Sequence, residues 1–157
     1  MPIIHVETII DAPQAVVFDL SRSIDLHLES TKKTDEKAVA GKTEGLIGLG
    51  ESVTWEAVHF GVRQRLTSKI TEFERPFRFR DSMVAGAFAR FDHDHEFMTL
   101  GGKTKMSDRF DYTAPWGPLG KLADFLFLER YMRNMLVERN LVIQRIAETD
   151  PGKYLSL

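Results

Sequence analysis

The amino-acid sequence predicts one α+β domain in which a curved antiparallel β-sheet wraps around a long C-terminal helix. Apolar and polar residues alternate from Val53 to Tyr112, which is the period of strands with a single buried face. The segment Pro-Trp-Gly-Pro at 115–118 then ends the alternation. Residues 119–148 contain no proline and a single glycine, Gly120, so a helix of about thirty residues, roughly 45 Å long, is allowed.

The composition limits the domain count and the class of partner. The length of 157 residues and the hydrophobic share of 43% suffice for one core. We therefore predict a single domain over residues 1–150 and a C-terminal tail over residues 151–157. The 21 basic and 23 acidic residues are interspersed and leave a net charge of −2. Because this gives no one-sided positive field, we expect no nucleic-acid partner.

No charged and then apolar leader begins the sequence, and no apolar run reaches the roughly 20 residues of a membrane span. We therefore expect a cytoplasmic protein without stable membrane insertion, as a monomer or weak homodimer. The sequence has no cysteine, which excludes disulfides, thiolate metal sites and thiol nucleophiles.

The first part of the chain is predicted to hold a strand and two short helices. Residues from Ile3 to Ile10 are rich in β-forming types, and the Asp-Ala-Pro sequence that follows suits a helix start. This helix is predicted to run to about Ser21, and Ser23 can cap a second short helix. The polar stretch from Thr31 to Ala38 has no period and is predicted to be a surface loop.

Four glycines, at positions 41, 45, 48 and 50, precede the main sheet. The apolar Leu46, Ile47 and Leu49 lie among them. This composition predicts either a mobile flap or a plain hairpin turn, and the sequence leaves both alternatives open.

The alternation that starts at Val53 divides into five strands with short connections, which favours an antiparallel meander. One side of each strand is largely apolar and is predicted to face inward. This inward set is Val53, Trp55, Ala57 and His59; Val62, Gln64, Leu66, Ser68 and Ile70; Phe77, Phe79, Asp81 and Met83; Phe91, His93, His95 and Phe97; and Met106, Asp108, Phe110 and Tyr112.

The predicted C-terminal helix changes character along its length. Its first half, from Leu119 to Leu128, is apolar nearly all round, which predicts burial on several sides. Its second half narrows to an apolar stripe, and Arg139 falls in the middle of that stripe. We expect Arg139 to be buried and paired with Asp108 or Asp81. Snorkelling of its guanidinium to solvent is the alternative.

Seven residues of the inward set are polar, and they favour a pocket. A buried polar group without a partner costs about 1–3 kcal/mol, so seven such groups would be hard to tolerate in a dry core. They are His59, Gln64, Ser68, Asp81, His93, His95 and Asp108. The predicted ligand-binding residues are Trp55, His59, Gln64, Leu66, Phe79, Asp81, Met83, Phe91, His93, His95, Met106, Asp108, Met132, Met135, Leu136 and Arg139.

His93 and His95 are alternate residues of one strand, a spacing that suits two ligands of a zinc or iron ion. A third ligand would have to come from His59, Asp81 or Asp108, and an isolated His-x-His pair is a weak signal. We therefore predict neutral histidines hydrogen-bonded to carboxylates or backbone, with no metal ion and no cofactor.

A histidine held by a carboxylate in an apolar pocket also suits general acid–base catalysis. His59, His95 and Asp108 are the candidate catalytic residues, although the same groups suit the anchoring of a ligand equally well. No serine lies in a Gly-x-Ser-x-Gly motif, so a nucleophilic triad is not supported.

Several segments resemble a known superfamily. They are Gly-Leu-Gly-Glu-Ser-Val-Thr-Trp at 48–55 running on to His-Phe-Gly at 59–61, Phe-Asp-His-Asp-His-Glu-Phe at 91–97, Met-Ser-Asp-Arg-Phe-Asp-Tyr at 106–112 and Pro-Trp-Gly-Pro-Leu-Gly at 115–120. With the order of elements, they resemble the helix-grip fold of the START/Bet v 1-like (SRPBCC) superfamily, and its bacterial polyketide cyclase/dehydrase and lipid transport-like branch in particular. The resemblance implies a cavity between sheet and helix, entered near the short helices and the glycine-rich loop. It implies no single catalytic set.

The sequence thus favours the binding or carrying of a small, largely apolar molecule, such as a lipid, a polyketide or an aromatic compound, over catalysis. A cofactor-free cyclase, dehydratase or isomerase that uses the inward histidines and aspartates is the second hypothesis. The third is an interaction module whose pocket is filled by Phe77, Phe79, Phe91 and methionine side chains.

Overall fold

The computed structural model of the chain describes residues 2–156. Its strands are β1 (Ile3–Ile10), β2 (Lys37–Gly41), β3 (Ser52–His59), β4 (Val62–Glu74), β5 (Arg78–Ala85), β6 (Arg90–Leu100) and β7 (Lys103–Thr113). Its α-helices are α1 (Gln14–Ser21), α2 (Ile24–Ser30), α3 (Gly117–Ala123) and α4 (Glu129–Thr149). A π-helical turn, Asp124–Leu128, joins α3 to α4, and short 3₁₀ turns lie at Lys32–Thr34 and Pro151–Lys153.

The predicted meander of five strands is confirmed. β3 to β7 follow one another in the sheet, and each pairs antiparallel with the next. β1 pairs with the free side of β7 and β2 with the free side of β3, so the order is β1-β7-β6-β5-β4-β3-β2. The chain therefore crosses from one edge of the sheet to the other through α1 and α2. α1 ends at Ser21 as predicted, but Pro13 lies at its N-cap position and no side chain caps it. The predicted cap of α2 is confirmed, since the Ser23 Oγ accepts a hydrogen bond from the backbone N–H of Leu26.

The prediction of a surface loop from Thr31 to Ala38 is wrong at its end, because β2 begins at Lys37. β2 pairs with β3, and the register shifts between Ala38 and Ala40. An exposed edge strand lacks the alternation that identifies a half-buried one. This segment is a strand because its backbone pairs with β3. Such pairing leaves no pattern in the sequence.

The glycine-rich segment, residues 42–51, connects β2 and β3 and is tied to its surroundings by backbone hydrogen bonds. The N–H of Ile24 donates to the carbonyl of Gly45 (2.9 Å), and the N–H of Ile47 donates to the carbonyl of Arg22 (3.1 Å). At its other end the N–H of Gly50 donates to the carbonyl of Ile70 (2.9 Å). The segment is the connection of a hairpin, as one of the two alternatives predicted.

The long C-terminal helix is confirmed and spans 33 residues, 117–149. Ala123, Asp124 and Leu128 keep right-handed helical dihedral angles, so the helix continues through the π-helical turn. The sequence did not predict this turn. Its Asp124 accepts a short hydrogen bond from the hydroxyl of Tyr112 on β7, which fixes the turn against the sheet.

The predicted burial of the first half of this helix is wrong. Leu119, Leu122, Leu126 and Phe127 are exposed, and Phe125 is 86% exposed. Apolar composition predicts burial only where another element covers the face. No strand or helix among residues 2–156 covers this one.

The core consists of two groups of buried side chains. The larger contains Phe18 of α1, which makes edge-to-face contacts with Phe73, Phe79 and Phe97. The smaller surrounds Tyr112, and Tyr154 and Leu155 near the C-terminus pack on the larger group.

Phe77 belongs to neither core group. It precedes β5 and is 60% exposed, so its predicted inward position is wrong.

Among the described residues, no helix has both the length and the apolar character that crossing a bilayer requires.

Candidate functional site

A cavity of about 470 Å³ lies between the concave face of the sheet and the C-terminal helix. Most of the predicted ligand-binding residues form its wall. They are Trp55, His59, Gln64, Leu66, Phe79, Asp81, Phe91, His93, His95, Met132, Met135, Leu136 and Arg139. The alternation of β3 to β6 brings the strand residues together, and the apolar stripe of α4 supplies the others.

Three predicted ligand-binding residues do not line the cavity. Met106 is fully buried and contacts Ser21 Oγ through its sulfur atom. Met83 is partly buried and packs against the smaller core group. Asp108 is also fully buried and lies behind the histidines of β6. Alternation along a strand assigns a face of the sheet, whereas the strand's neighbours decide whether a residue on that face reaches the cavity.

The mouth of the cavity lies between the β3–β4 turn and the start of the C-terminal helix. Phe60, Val62, Trp116 and Phe127 are the most exposed apolar residues of its lining. The entrance was expected near the short helices and the glycine-rich loop, but the lining residues at that end include the buried Ile24 and Ile47. The lining at that end also includes the half-buried His27 and Glu36, so an entrance there stays a prediction.

Asp108 on β7 is the centre of a buried polar cluster. His93 Nε2 lies 2.9 Å from Asp108 Oδ1, and Asn140 Nδ2 donates to Asp108 Oδ2 over 2.7 Å. Burial opposes ionisation of Asp108, but the contacts with His93 and His95 and the charge of Arg139 outweigh it. The pKa of this carboxyl is therefore well below its ordinary value, and Asp108 accepts hydrogen bonds as a carboxylate.

The two histidines of β6 face Asp108 from the same side. Burial and the neighbouring His95 lower the pKa of His93, so its ring is neutral near pH 7. Because Nε2 donates to Asp108, Nδ1 carries the lone pair. The two imidazole rings are 3.8 Å apart. The predicted hydrogen bond to a carboxylate is thus confirmed for His93.

His95 lies between two carboxylates. Its Nε2 is 2.7 Å from Asp81 Oδ2, and its Nδ1 is 3.1 Å from Asp108 Oδ1. The second contact lacks the direction of a regular hydrogen bond, so Nδ1 has no hydrogen-bond partner within residues 2–156. Burial opposes protonation of the ring, but the two carboxylates outweigh it and raise the pKa of His95. Phe79 stacks on the ring at 4.2 Å.

Arg139 is 8% exposed, and its predicted burial is confirmed. Its Nη1 lies 3.5 Å from Asp108 Oδ1 and donates to Asn140 Oδ1 over 3.0 Å. Its Nη2 donates to the carbonyl of Ser21 over 3.1 Å. The predicted pairing with Asp108 is confirmed, and the guanidinium does not reach solvent.

His59 is separate from this cluster and lies near the mouth. Its Nδ1 is hydrogen-bonded to the Tyr131 hydroxyl of α4 over 2.7 Å, and Gln64 Nε2 donates to its carbonyl. Burial lowers the pKa of His59. The three predicted catalytic candidates therefore do not form one group, because His95 and Asp108 meet in the buried cluster and His59 does not.

Sequence reasoning missed Asn140, Tyr131 and a pair formed by His27 and Glu36, whose side chains are 2.9 Å apart at the cavity wall. Asn140 follows Leu136 by four residues and precedes Ile143 by three, so its place in the buried stripe was a usable signal. Glu36 fell in the stretch predicted as a loop, so no pattern pointed to it.

Within residues 2–156, Asp81, His93 and His95 are the residues that could hold a metal ion. One potential ligand atom from each lies within 4.8 Å of the other two. Asp81 and His93 are direct partners in the pairing of β5 with β6, which explains their proximity.

A family model described as polyketide cyclase / dehydrase and lipid transport matches residues 10–138. No curated protein matches the chain significantly in sequence. Among solved structures, TTHA0849 from Thermus thermophilus has a TM-score of 0.75 at 19% identity, over 92% of this chain and 95% of that one.

Two further solved structures extend the likeness. A START superfamily protein from Mycobacterium smegmatis has a TM-score of 0.69 at 8% identity, over 93% of this chain and 97% of that one. Major latex-like protein 151 from Panax ginseng has a TM-score of 0.64 at 14% identity, with the same coverage, 93% and 97%. At these identities the likeness shows the helix-grip fold alone.

Proposed function

Because the chain belongs to the polyketide cyclase/dehydrase and lipid transport family, we propose that it binds or carries a small, largely apolar molecule in the cavity between sheet and C-terminal helix. The observation that carries this proposal is a cavity with apolar walls and a polar cluster on one side. Its volume of about 470 Å³ falls within the range of about 300–1,000 Å³ that is usual for small-molecule sites.

The apolar wall supplies most of the proposed binding free energy. Trp55, Leu66, Phe91, Met132 and Leu136 present large apolar side chains to the cavity. Burial of apolar ligand surface contributes about 25 cal/mol per Å². A lipid-like or aromatic skeleton matches this wall, whereas a highly polar ligand would lose its hydration without enough partners in return.

The polar groups orient the ligand. Asp81, His93 and His95 lie together on one wall, and His59 with Tyr131 lies near the mouth. A hydroxyl or carbonyl of the ligand placed at either position gains a hydrogen bond worth about 1 kcal/mol. We therefore infer a ligand that is apolar over most of its surface and has at least one polar group.

A cavity-filling substitution tests the proposal. Ala57 is buried on β3 and lines the cavity, so Ala57→Phe occupies part of the space. Ala40→Phe on the exposed edge strand β2 is the matched control. We expect Ala57→Phe to weaken binding of a fluorescent fatty acid or aromatic probe at least 10-fold, with the control unchanged. Failure of every apolar probe to bind the wild-type protein would overturn the proposal.

A cofactor-free cyclase, dehydratase or isomerase is the second candidate function. The observation that favours it is His93, whose Nε2 is held by Asp108 and whose Nδ1 lone pair is free to accept a proton. Native mass spectrometry of protein from its own host identifies a retained ligand, which is then incubated with the wild type, His59→Ala, His93→Ala and His95→Ala. On the carrier proposal each variant weakens binding by roughly 1–2 kcal/mol. On the enzyme alternative the ligand is converted, and turnover falls about 10²–10⁴-fold.

The filled-pocket hypothesis does not fit the structure. Phe77 lies outside the cavity, and Phe79 and Phe91 form its wall without filling it.

The cytoplasmic location and the monomeric or weakly dimeric state stay predictions. Light scattering of the purified protein measures the oligomeric state.

A further inference from the structure

We propose that Asp81, His93 and His95 form a binding site for one divalent first-row transition-metal ion on the cavity wall. From the sequence alone we predicted that no metal ion binds, because a His-x-His pair is a weak signal and the third ligand stayed open among His59, Asp81 and Asp108. The pairing of β5 with β6 supplies the third ligand, since Asp81 lies opposite His93. This inference does not depend on the identity of the apolar ligand.

The distances between the proposed ligand atoms are close to those of a tetrahedral site. Zinc lies about 2.0–2.2 Å from nitrogen and oxygen ligands, so two ligand atoms of a tetrahedron are about 3.3–3.6 Å apart. Asp81 Oδ2 is 2.7 Å from His95 Nε2 and 3.9 Å from His93 Nδ1. These two distances lie on either side of the tetrahedral value. All three potential ligand atoms lie within 4.8 Å of one another, so the three side chains have to adjust their positions to bind the ion.

Asp108 prepares both histidines for this role. A metal-bound histidine usually donates its other ring N–H to a carboxylate, which fixes the orientation of the ring. Asp108 Oδ1 lies 2.9 Å from His93 Nε2 and 3.1 Å from His95 Nδ1. One carboxylate thus faces the outer nitrogen of both rings, and His93 Nδ1 and His95 Nε2 are left to bind the ion. The buried His95 Nδ1, which lacks a partner in residues 2–156, gains Asp108 as an acceptor when the ring adjusts.

Asp108 is itself held in place from the helix side. Asn140 Nδ2 donates to its Oδ2, and Arg139 Nη1 lies 3.5 Å from its Oδ1. Asn140 and Arg139 are therefore positioning residues for the outer carboxylate. Without the ion, the cluster already satisfies most of its polar groups, so the fold does not require the metal.

The charge and the composition of the site favour a transition-metal dication. Both imidazoles are neutral when they bind an ion, so Asp81, Asp108 and Arg139 then give the surrounding cluster a net charge of −1, which a dication offsets. Two imidazole nitrogens and one carboxylate oxygen suit zinc, iron or cobalt, whereas calcium and magnesium prefer oxygen ligands. All three proposed ligands line the cavity. Three protein ligands leave an open coordination position, so a bound ion can accept an oxygen atom of a molecule in the cavity.

Titration of the untagged chain with Zn²⁺ or Co²⁺ after dialysis against EDTA tests the proposal. We expect one ion per chain by native mass spectrometry and a visible absorption band of low-symmetry Co²⁺. Asp81→Asn, His93→Gln and His95→Gln should each weaken binding by at least about 100-fold. His27→Gln is the control, because His27 lines the same cavity outside the cluster and its substitution should leave the dissociation constant unchanged.

Imidazole ¹⁵N NMR of the wild-type protein gives a second readout, which does not depend on variants that fold poorly. Zn²⁺ should shift His93 Nδ1 and His95 Nε2 and leave the nitrogens of the exposed His5 unaffected. Absence of stoichiometric binding overturns the proposal, as does binding that the three ligand variants retain or that shifts only His5, His27 or His59. Probe binding by the ion-free protein is measured separately, so failure of the metal site leaves the proposed carrier function testable.

Discussion

Asn140 of the C-terminal helix donates a hydrogen bond to Asp108 of β7 over 2.7 Å, and both residues are almost fully buried. This bond connects the C-terminal helix to β7 at Asp108, the centre of the buried polar cluster. It therefore contributes both to the docking of the helix and to the orientation of His93 and His95.

We expect Asn140→Ala to lower the free energy of unfolding by about 1–3 kcal/mol, because it removes a donor from a buried carboxylate. Asn134 lies on the same helix and is exposed, so Asn134→Ala should change stability by less than about 0.5 kcal/mol. Urea unfolding followed by circular dichroism measures both. Equal effects of the two substitutions would contradict the assigned contact.

Arg139→Met should destabilise the protein by about 2 kcal/mol or more, since it leaves the buried Asp108 with fewer partners. Arg130 is exposed on the same helix, and Arg130→Met should lie within about 0.5 kcal/mol of the wild type. Chemical unfolding of the two variants and the wild type measures these differences in the free energy of unfolding. A stable Arg139→Met variant would mean that the guanidinium contributes no net stabilisation.

The lowered pKa of Asp19 predicts that the stability of the fold depends on pH. Burial opposes its ionisation, but hydrogen bonds from Arg75 and Arg22 outweigh it and lower its pKa below 3.8. As the pH falls, Asp19 therefore takes up a proton more readily in the unfolded chain than in the folded one. The stabilisation that ionised Asp19 gives the fold is present above its ordinary pKa and is lost as the pH falls through its pKa in the folded protein. We expect the melting-temperature advantage of wild type over Asp19→Asn to shrink between about pH 5 and pH 2. Asn134→Ala, at an exposed residue without a titratable group, is the control and should show a pH-independent difference.

Truncation of Phe18 should cost much more stability than truncation of Phe125. Phe18 is fully buried among three phenylalanines, whereas Phe125 is 86% exposed. Phe18→Ala should cost about 3–5 kcal/mol, and Phe125→Ala less than about 0.5 kcal/mol. Thermal and urea unfolding compare the two. A large loss for Phe125→Ala would show that the first half of the helix is covered in solution, for example by a second copy of the chain.

The sequence by itself determined the order of the strands of the meander, the inward face of most of them and the long C-terminal helix. Periods of two and of 3.6 residues are local consequences of backbone geometry, so they are visible in Trp55, Phe79 and Phe91 before any contact is known. The same reasoning placed Arg139 in the buried stripe, because helical spacing alone assigns it to that face.

Only the tertiary structure decided which inward residues meet. Asp81 and His93 become neighbours through the register of β5 on β6, and Asn140 reaches Asp108 through the docking of the helix. Burial of Met106 and exposure of Phe125 depend on whether another element covers them. Register, docking and coverage are relations between segments distant in sequence, and no local pattern encodes the distances that they create.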